Sequence, residues 1–296
     1  MTLLASPSIS DSPPKTFRMN NDQILRANRQ TYDAMADARN PLCQPAKDSE
    51  LADPLGTLDP LGWLGKSIKG LRVLCLAAGG GRQSSLYAAA GANVTVVDLS
   101  PAMLELDRQV AAARNLSLRI LETSMEDLSM LKAAEFDIVA QPVSTCYVRN
   151  IGVVFEQVAR VLRAGGIYVS QHKNPISLQA SPESAADGSY PIQHTYYRDT
   201  PVPPPKHTSA TANRLRENGA VEFLHRWEQI IGGMCRAGFS IEDLVEPVHA
   251  KRDALPGSFA HRAQFIAPYV RIKARRQASG GQAASDDGGS KLWIPD

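Results

Sequence analysis

A glycine-rich loop and an aspartate are the residues of this chain best suited to binding a nucleoside. Three consecutive glycines, 79–81, follow an apolar run that ends at Leu76, and Asp98 ends the next run. Glycine has no Cβ atom, so the backbone of such a loop can turn sharply and come close to a ligand. A carboxylate at the end of the following strand can accept two hydrogen bonds from a ribose diol. The spacing therefore predicts a nucleoside-containing cofactor.

The segments around this loop alternate between strand and helix patterns. Residues 73–76 are almost continuously apolar, as expected of a parallel strand that is covered on both faces. Residues 82–90 are alanine-rich and stop at Gly91, a residue that suits the left-handed end of a helix. Residues 93–97 are rich in β-branched side chains and form the second predicted strand. The remaining predicted elements are strands at 116–121, 136–141, 167–171, 239–245 and 264–274, and helices at 21–36, 153–162 and 221–238.

This arrangement resembles the class I S-adenosylmethionine-dependent methyltransferases, in particular bacterial enzymes that act on small molecules. The first motif of that family is acid-x-Gly-x-Gly-x-Gly, and a further acid ends its second strand. Gly79 and Gly81 lie in register with this motif. Cys75 stands at the position of its initial acid, and Ala77 at that of its first glycine. The resemblance spans roughly residues 21–276.

Two further stretches are similar to the family, FDIV at 136–139 and the VLRAGG turn before the fifth predicted strand. The resemblance implies an α/β fold with a Rossmann-like, doubly wound, seven-stranded and mostly parallel sheet. It also implies a cap built from the N-terminal helix and from an insertion after the fifth strand, residues 174–218. We therefore expect one methyltransferase domain at 21–276, between flexible segments at 1–20 and 277–296.

The resemblance implies that S-adenosyl-L-methionine is the cofactor and S-adenosyl-L-homocysteine its product. In the family, a leading helix folds over the cofactor, and a polar and an apolar residue after the third strand bracket the adenine. Tyr32 is either such a lid contact or a core-facing aromatic residue, and Glu126 or Asp127 accepts from the adenine amino group. The cofactor-binding candidates are Tyr32, Ala77, Gly79, Gly81, Asp98, Leu99, Ser124, Met125, Glu126 and Pro142.

The insertion at 174–218 is irregular, rich in proline and interleaved with aromatic and basic residues. A long irregular segment inside a compact domain is usually functional or disordered, and the aromatic content argues against full disorder. We expect it to recognise the methyl acceptor. Its substrate-binding candidates are Tyr196, Tyr197 and Arg198.

Three residues are candidates for removing a proton from the acceptor. His172 ranks first, because it follows a strand and an imidazole can accept a proton near neutral pH. The other two candidates are His194 in the insertion and Tyr147 after the fourth strand. An amine acceptor that binds unprotonated needs no such base.

The overall charge and the cysteines limit the other partners. The 32 basic and 30 acidic residues give a net charge of +2, and this small positive charge does not indicate binding to nucleic acid. The 4 cysteines are widely spaced without a CxxC pair and are interpreted as reduced thiols, and no metal site is predicted. No apolar run reaches the roughly 20 residues of a membrane span. We expect a cytoplasmic monomer or homodimer that acts on a small molecule, without nucleic acid or membrane partners.

Two competing functions remain open from the sequence alone. An NAD(P)-dependent oxidoreductase also uses two spaced glycines and an acid after the second strand, as Gly79, Gly81 and Asp98 would supply. That interpretation is weaker, since the third glycine of the dinucleotide motif would fall at Ser84. The other competing function is a binding module that keeps the cofactor pocket without chemistry. The accepting atom, O, N or C, is left undetermined.

Overall fold

Seven strands form one sheet in the computed structural model, which describes residues 19–278. Counted along the chain, their order across the sheet is 3-2-1-4-5-7-6. The seventh strand runs antiparallel to both neighbours and the other neighbouring pairs are parallel, which confirms the predicted sheet. Our predictions for residues 1–18 and 279–296 lie outside the described residues. The strands are β1 (Arg72–Leu76), β2 (Asn93–Asp98), β3 (Leu118–Glu122), β4 (Phe136–Gln141), β5 (Leu162–Lys173), β6 (Phe239–Val245) and β7 (Tyr269–Arg276).

Helices precede the sheet, connect its strands and follow β5. The first begins with a capping box, in which Asn20 and Gln23 each bond the other's backbone N–H. Within the described range they are α1 (Asn21–Asp37), α2 (Asp48–Leu51), α3 (Pro54–Leu58), α4 (Arg82–Ala89), α5 (Pro101–Arg114), α6 (Ile151–Val161), α7 (Pro175–Gln179), α8 (Ala210–Leu215), α9 (Gly233–Arg236) and α10 (Phe259–Arg262).

The sheet is covered on both faces, which explains the continuous apolar run of β1. Leu74 and Leu76 pack into a core with α6, and both side chains are fully buried. Val73 and Cys75 point to the opposite face and pack with α4 and α5, also fully buried. Side chains of a strand alternate between faces, so each residue of a strand with two covered faces is apolar.

The strand order places a switch point beside β1. The chain moves outward from β1 to β2 and β3, and then returns to β4 on the other side of β1. In open α/β sheets, ligands bind outside the carboxyl ends of the strands at such a point. The loops after β1, β2 and β4 therefore meet at one edge of the sheet.

The last strand differs from its prediction in both extent and position. We predicted residues 264–274 with Pro268 in an edge or bulged strand, whereas β7 begins at Tyr269 and lies between β5 and β6. Pro268 precedes the strand, at a position where pairing between strands requires no backbone N–H. Its carbonyl accepts from Asn174 N at 3.0 Å.

The helix predicted at 221–238 was wrong in its first third. Residues 221–226 are not helical, and a π-helix at Glu228–Gly232 leads into α9. Contacts with the rest of the chain hold the irregular part, since Val221 N donates to Asn28 Oδ1 and Phe223 N donates to Cys146 O, both at 2.7 Å. These bonds outweigh the helical spacing of the apolar residues.

Candidate active site

A cavity of about 450 Å³ opens at the carboxyl ends of the parallel strands. Its wall includes residues 77–80 after β1, Asp98 at the end of β2 and residues 99–100 after it, 123–125 after β3 and 142–144 after β4. Helix α1 also lines the cavity, as do five residues between 171 and 269, namely Gln171, Arg214, Glu217, Phe259 and Tyr269. The volume falls within the range of small-molecule sites.

The backbone of the glycine loop can come close to a ligand because its glycines have no side chains. Side chains would also not fit at these positions. Gly80 has φ 108°, a left-handed conformation that favours glycine. A Cβ on Gly79 would lie 2.8 Å from Met103 Cβ and 3.0 Å from Asp98 Oδ2. Ala77 also has a left-handed φ, 49°, at a cost of about 1 kcal/mol for a residue with a Cβ atom. The loop therefore keeps the shape of the glycine motif although its first glycine is absent.

Asp98 connects the end of β2 to this loop. Its Oδ2 accepts from Gly79 N and its Oδ1 from Ser100 N, both at 2.9 Å. Burial raises the pKa of Asp98, and the backbone bonds from Ser100, Gly79 and Leu99 oppose the increase. Each carboxylate oxygen keeps a second lone pair, so the group can still accept from the two hydroxyls of a ribose. Asp98 lines the cavity.

The opposite half of the cavity contains an ionised network that was not predicted from the sequence. Tyr147 Oη donates to Glu217 Oε2 at 2.5 Å, and Lys173 Nζ donates to the same oxygen at 2.9 Å. Burial opposes ionisation of Glu217, but the Lys173 charge and the bonds from Tyr147 and Lys173 hold its pKa below the ordinary value. Burial and the Glu217 charge raise the pKa of Tyr147. At neutral pH, Glu217 is a carboxylate and Tyr147 a neutral phenol.

Neighbouring elements fix the position of Tyr147. It lies in a 3₁₀ turn, Thr145–Tyr147, which residues 142–144 connect to the end of β4. Asn28 of α1 donates to the Tyr147 carbonyl at 3.0 Å, and His225 Nε2 lies 3.0 Å from the carbonyl oxygens of Thr145 and Val148. The Tyr32 ring packs edge-on against the Tyr147 ring, with centroids 5.5 Å apart. The N-terminal helix is thus bonded directly to the turn that carries Tyr147.

Most of the predicted cofactor residues lie on the cavity wall, namely Tyr32, Ala77, Gly79, Asp98, Leu99, Ser124, Met125 and Pro142. Gly81 and Glu126 do not line it. Gly81 caps α4 with φ 78°, and a Cβ there would lie 2.9 Å from Val110. Glu126 Oε2 accepts from Asn21 Nδ2 at 3.3 Å. Their places in this structure indicate supporting roles.

His172 does not fit the predicted role of proton acceptor. It lies within β5 rather than after it, is 1% exposed and does not line the cavity. Its Nδ1 lies 2.8 Å from Thr145 Oγ1, and its Nε2 lies 2.8 Å from Ser170 Oγ. Burial lowers the pKa of His172 to about 3. The imidazole is therefore neutral and occupied on both nitrogens.

Apart from Tyr147, which lines the first cavity, the other residues predicted to take a proton from the methyl acceptor or to bind it lie outside that cavity. His194 lines a separate cavity of about 350 Å³, and burial, Arg198 and Arg216 lower its pKa. The predicted substrate residues Tyr196, Tyr197 and Arg198 do not line the first cavity. Tyr196 Oη accepts from Trp227 N, Tyr197 is 82% exposed, and Arg198 donates to Pro201 O. The insertion contributes Arg214 and Glu217 to the wall instead.

Comparison with known proteins identifies the family. Residues 74–170 match a family described as a methyltransferase domain. An uncharacterized methyltransferase of Bacillus subtilis, YbaJ, is 37% identical over 179 residues, which are 60% of this chain and 69% of that protein. This chain belongs to the class I S-adenosylmethionine-dependent methyltransferases.

Two other similarities are more limited. A ubiquinone biosynthesis O-methyltransferase of Xylella fastidiosa is 31% identical over 122 residues, covering 40% of this chain and 50% of that protein. An S-adenosylmethionine-dependent methyltransferase of Mesorhizobium loti has a similar fold, with a TM-score of 0.57 and 22% identity over 76% of this chain and 100% of that chain. Membership of the family, shown by the domain match and by the Bacillus subtilis relative, makes S-adenosylmethionine the cofactor and sets aside the dinucleotide interpretation and the non-catalytic one.

Neither a membrane-spanning helix nor a metal-binding cluster occurs in the part of the chain that the structure describes. No helix between residues 19 and 278 is long and apolar enough to span a membrane. Among the same residues, no group of three or more His, Cys, Asp or Glu side chains is arranged to hold a metal ion.

A buried acid, Asp107, supports the glycine loop of this methyltransferase. It is fully buried in α5, accepts from Gly80 N at 3.0 Å and accepts from Ser84 Oγ. Burial raises its pKa to about 7. Its spacing from the buried Met103, Leu104 and Val110 places an acid on the apolar face of the helix, a signal that was available in the sequence.

We expect Asp107 to make stability depend on pH. The folded state holds its proton up to about pH 7, whereas an unfolded aspartate loses it near about pH 4, so stability falls as the pH rises between these values. Between pH 5 and 8, the wild type should lose about 2 to 3 kcal/mol of unfolding free energy through Asp107, and Asp107→Asn should not show this loss. Urea unfolding at both pH values measures it. Glu105→Gln on the exposed face of α5 should keep the wild-type pH dependence. An unchanged pH dependence in Asp107→Asn would contradict this role.

Proposed function

We propose that this methyltransferase transfers the methyl group to a small molecule bound beside Tyr147 and Glu217. The observation that carries the proposal is that these two residues line the same cavity as Asp98 and the glycine loop. Tyr269, which also lines it, pairs with Lys173 at the carboxyl end of β5. The half of the cavity that binds the methyl acceptor, the acceptor half, thus lies beside β4, β5 and β7. The half that binds the ribose of the cofactor, the ribose half, lies at the end of β2.

The residues on the wall suit particular roles toward the cofactor and the acceptor. Asp98 binds the ribose diol, and Ser124 and Met125 flank the adenine. When bound, S-adenosylmethionine supplies a sulfonium methyl group that is already a strong electrophile. The protein therefore contributes mainly proximity, alignment and proton removal.

Glu217 is the proposed proton acceptor. Its Oε2 is held by Tyr147 and Lys173, while its Oε1 accepts no hydrogen bond from another residue among 19–278. An O–H or N–H of the acceptor donates to Oε1, and its proton moves to that oxygen as the bond to the methyl carbon forms. The proton becomes strongly acidic during this step, so a carboxylate with a lowered pKa still accepts it.

The domain limits belong to the same proposal. Residues 21–276 act as one catalytic domain, and α1 and the end of the 174–218 insertion close the cavity from two sides. A cytoplasmic location, a monomeric or homodimeric state and the absence of nucleic acid partners stay predictions from the sequence.

A labelling experiment tests the proposed acceptor class. The protein is incubated with a metabolite extract and S-adenosylmethionine that carries a labelled methyl group, and the labelled products are identified by mass. We expect label in a small molecule with wild-type protein and strongly reduced label with Glu217→Gln. Label that appears solely in the protein or nucleic acid fraction would overturn the proposal.

A further inference from the structure

One arginine on the cavity wall differs from the others in its partners. Arg29 pairs with Glu122 at 3.0 Å, and Arg82 pairs with Glu50 at 2.5 Å. Arg214 has no carboxylate within salt-bridge distance among the described residues. Its guanidinium instead lies over the Phe259 ring, 4.0 Å from the centroid. Arg214 is therefore the one arginine of the cavity wall whose charge no acid among residues 19–278 compensates.

The position of Arg214 assigns it to the acceptor half. Its carbonyl accepts from Tyr269 Oη at 3.4 Å, and Tyr269 begins β7. Between β7 and β2, which carries Asp98, lie three strands, a separation of about 19 Å at the usual strand spacing. Arg214 is also three residues from Glu217 along the chain. It thus lies on the proton-acceptor side of the cavity and far from the ribose site.

Other groups at this end favour a negatively charged and planar ligand. Gln171, a residue of the cavity wall, accepts from Arg271 Nε through Oε1 at 3.2 Å, which leaves its amide nitrogen free to donate. Phe259 and Tyr269 provide aromatic faces on the same wall. Behind them, the His249 ring contacts both aromatic rings, and burial and the charges of Arg214 and Arg271 lower its pKa.

We propose that the methyl acceptor is an aromatic acid whose carboxylate binds to Arg214 and whose hydroxyl faces Glu217. This inference rests on the proposed function, since it concerns the acceptor half of the cavity. A guanidinium binds a carboxylate through two parallel N–H···O bonds, and stacking on Phe259 holds its plane in place. Lys173 pairs with both Glu217 and Glu222, and Arg216 also pairs with Glu222. These two cations balance the two acids, so Glu217 does not cancel the charge of Arg214.

The test compares charged and neutral probes of the same shape. Calorimetry measures the binding of the three hydroxybenzoate isomers and of their neutral amides to protein saturated with S-adenosylhomocysteine. We expect at least one acid to bind about 10-fold or more tightly than its amide to the wild type. Arg214→Met should remove this preference, Arg214→Lys should keep part of it, and Arg198→Met, outside the cavity, should keep all of it.

Further measurements separate this inference from the proposed function. S-adenosylhomocysteine should bind Arg214→Met and the wild type with equal affinity, and equal melting temperatures would show that the variant is folded. The inference fails if no acid binds more tightly than its amide, or if Arg214→Met keeps the preference. It also fails if that variant loses cofactor affinity, which would assign the arginine to the cofactor. Failure of the proposed function would instead appear in the extract experiment, as an absence of any labelled small molecule.

Discussion

Glu217→Gln is expected to lower turnover by about 10²-fold or more and to leave the affinity for S-adenosylmethionine unchanged. The glutamine side chain has the same shape and can still accept from Tyr147 or Lys173, but its amide oxygen cannot take a proton at neutral pH. Single-turnover kinetics with an acceptor found by the extract experiment measures the chemical step, and calorimetry measures cofactor binding. Glu126→Gln is the matched control, because Glu126 does not line the cavity.

The pH profile of the wild type distinguishes Glu217 from a histidine. A carboxylate whose pKa lies below the ordinary glutamate value remains ionised down to acidic pH, so the rate should not fall between pH 8 and 5.5 through loss of this base. A histidine base with an ordinary pKa would produce an acid limb near about pH 6.5. Near-normal turnover of Glu217→Gln, or an acid limb near that value which His172→Gln removes, would contradict the assignment.

Asp98→Ala is expected to weaken S-adenosylmethionine binding by about 1.5 to 3 kcal/mol, a loss of roughly 10- to 150-fold in affinity. The substitution removes the carboxylate that accepts from the ribose, and it also removes the acceptor of Gly79 N and Ser100 N. Calorimetry measures the affinity, and far-ultraviolet circular dichroism checks the fold. Asp127→Asn is the control, since Asp127 lies off the cavity wall. Unchanged affinity in a folded Asp98→Ala variant would remove Asp98 from the ribose role.

The cofactor half of the cavity was predictable because its signals are local. The glycines at 79–81 and Asp98 belong to one strand, helix and strand unit of 27 residues, from Arg72 to Asp98, in which each segment has its own composition. In the sequence, buried parallel strands are recognisable as apolar runs, and the loop is recognisable by its consecutive glycines. Even Ala77 keeps the left-handed backbone of the motif, because the surrounding strand and loop determine its conformation.

The acceptor half was not predictable in the same way, because long-range contacts determine it. His172 was expected to follow a strand that ends at residue 171, but β5 continues to Lys173, where it pairs with Tyr269 of β7. Side chains alternate between the faces of a strand, so this extension turns His172 into the core. The pairing partner lies almost 100 residues later in the chain and leaves no trace in the local sequence.

Glu217 was missed for a related reason. It lies in an irregular segment without periodicity, and its partners Tyr147 and Lys173 come from two different strand ends. The aromatic and basic residues of the insertion gave a visible pattern, whereas a single acid near its end gave none. Asp107 was missed as well, although its helical spacing from Met103, Leu104 and Val110 was visible in the sequence.

The position of bound S-adenosylhomocysteine in a crystal structure of the complex tests the proposed division of the cavity most directly. We predict that both ribose hydroxyls lie about 2.5 to 3.0 Å from the carboxylate oxygens of Asp98, with the sulfur facing the side of the cavity that contains Tyr147 and Glu217. A ribose that lay away from Asp98, or a sulfur that faced away from Glu217, would contradict this division.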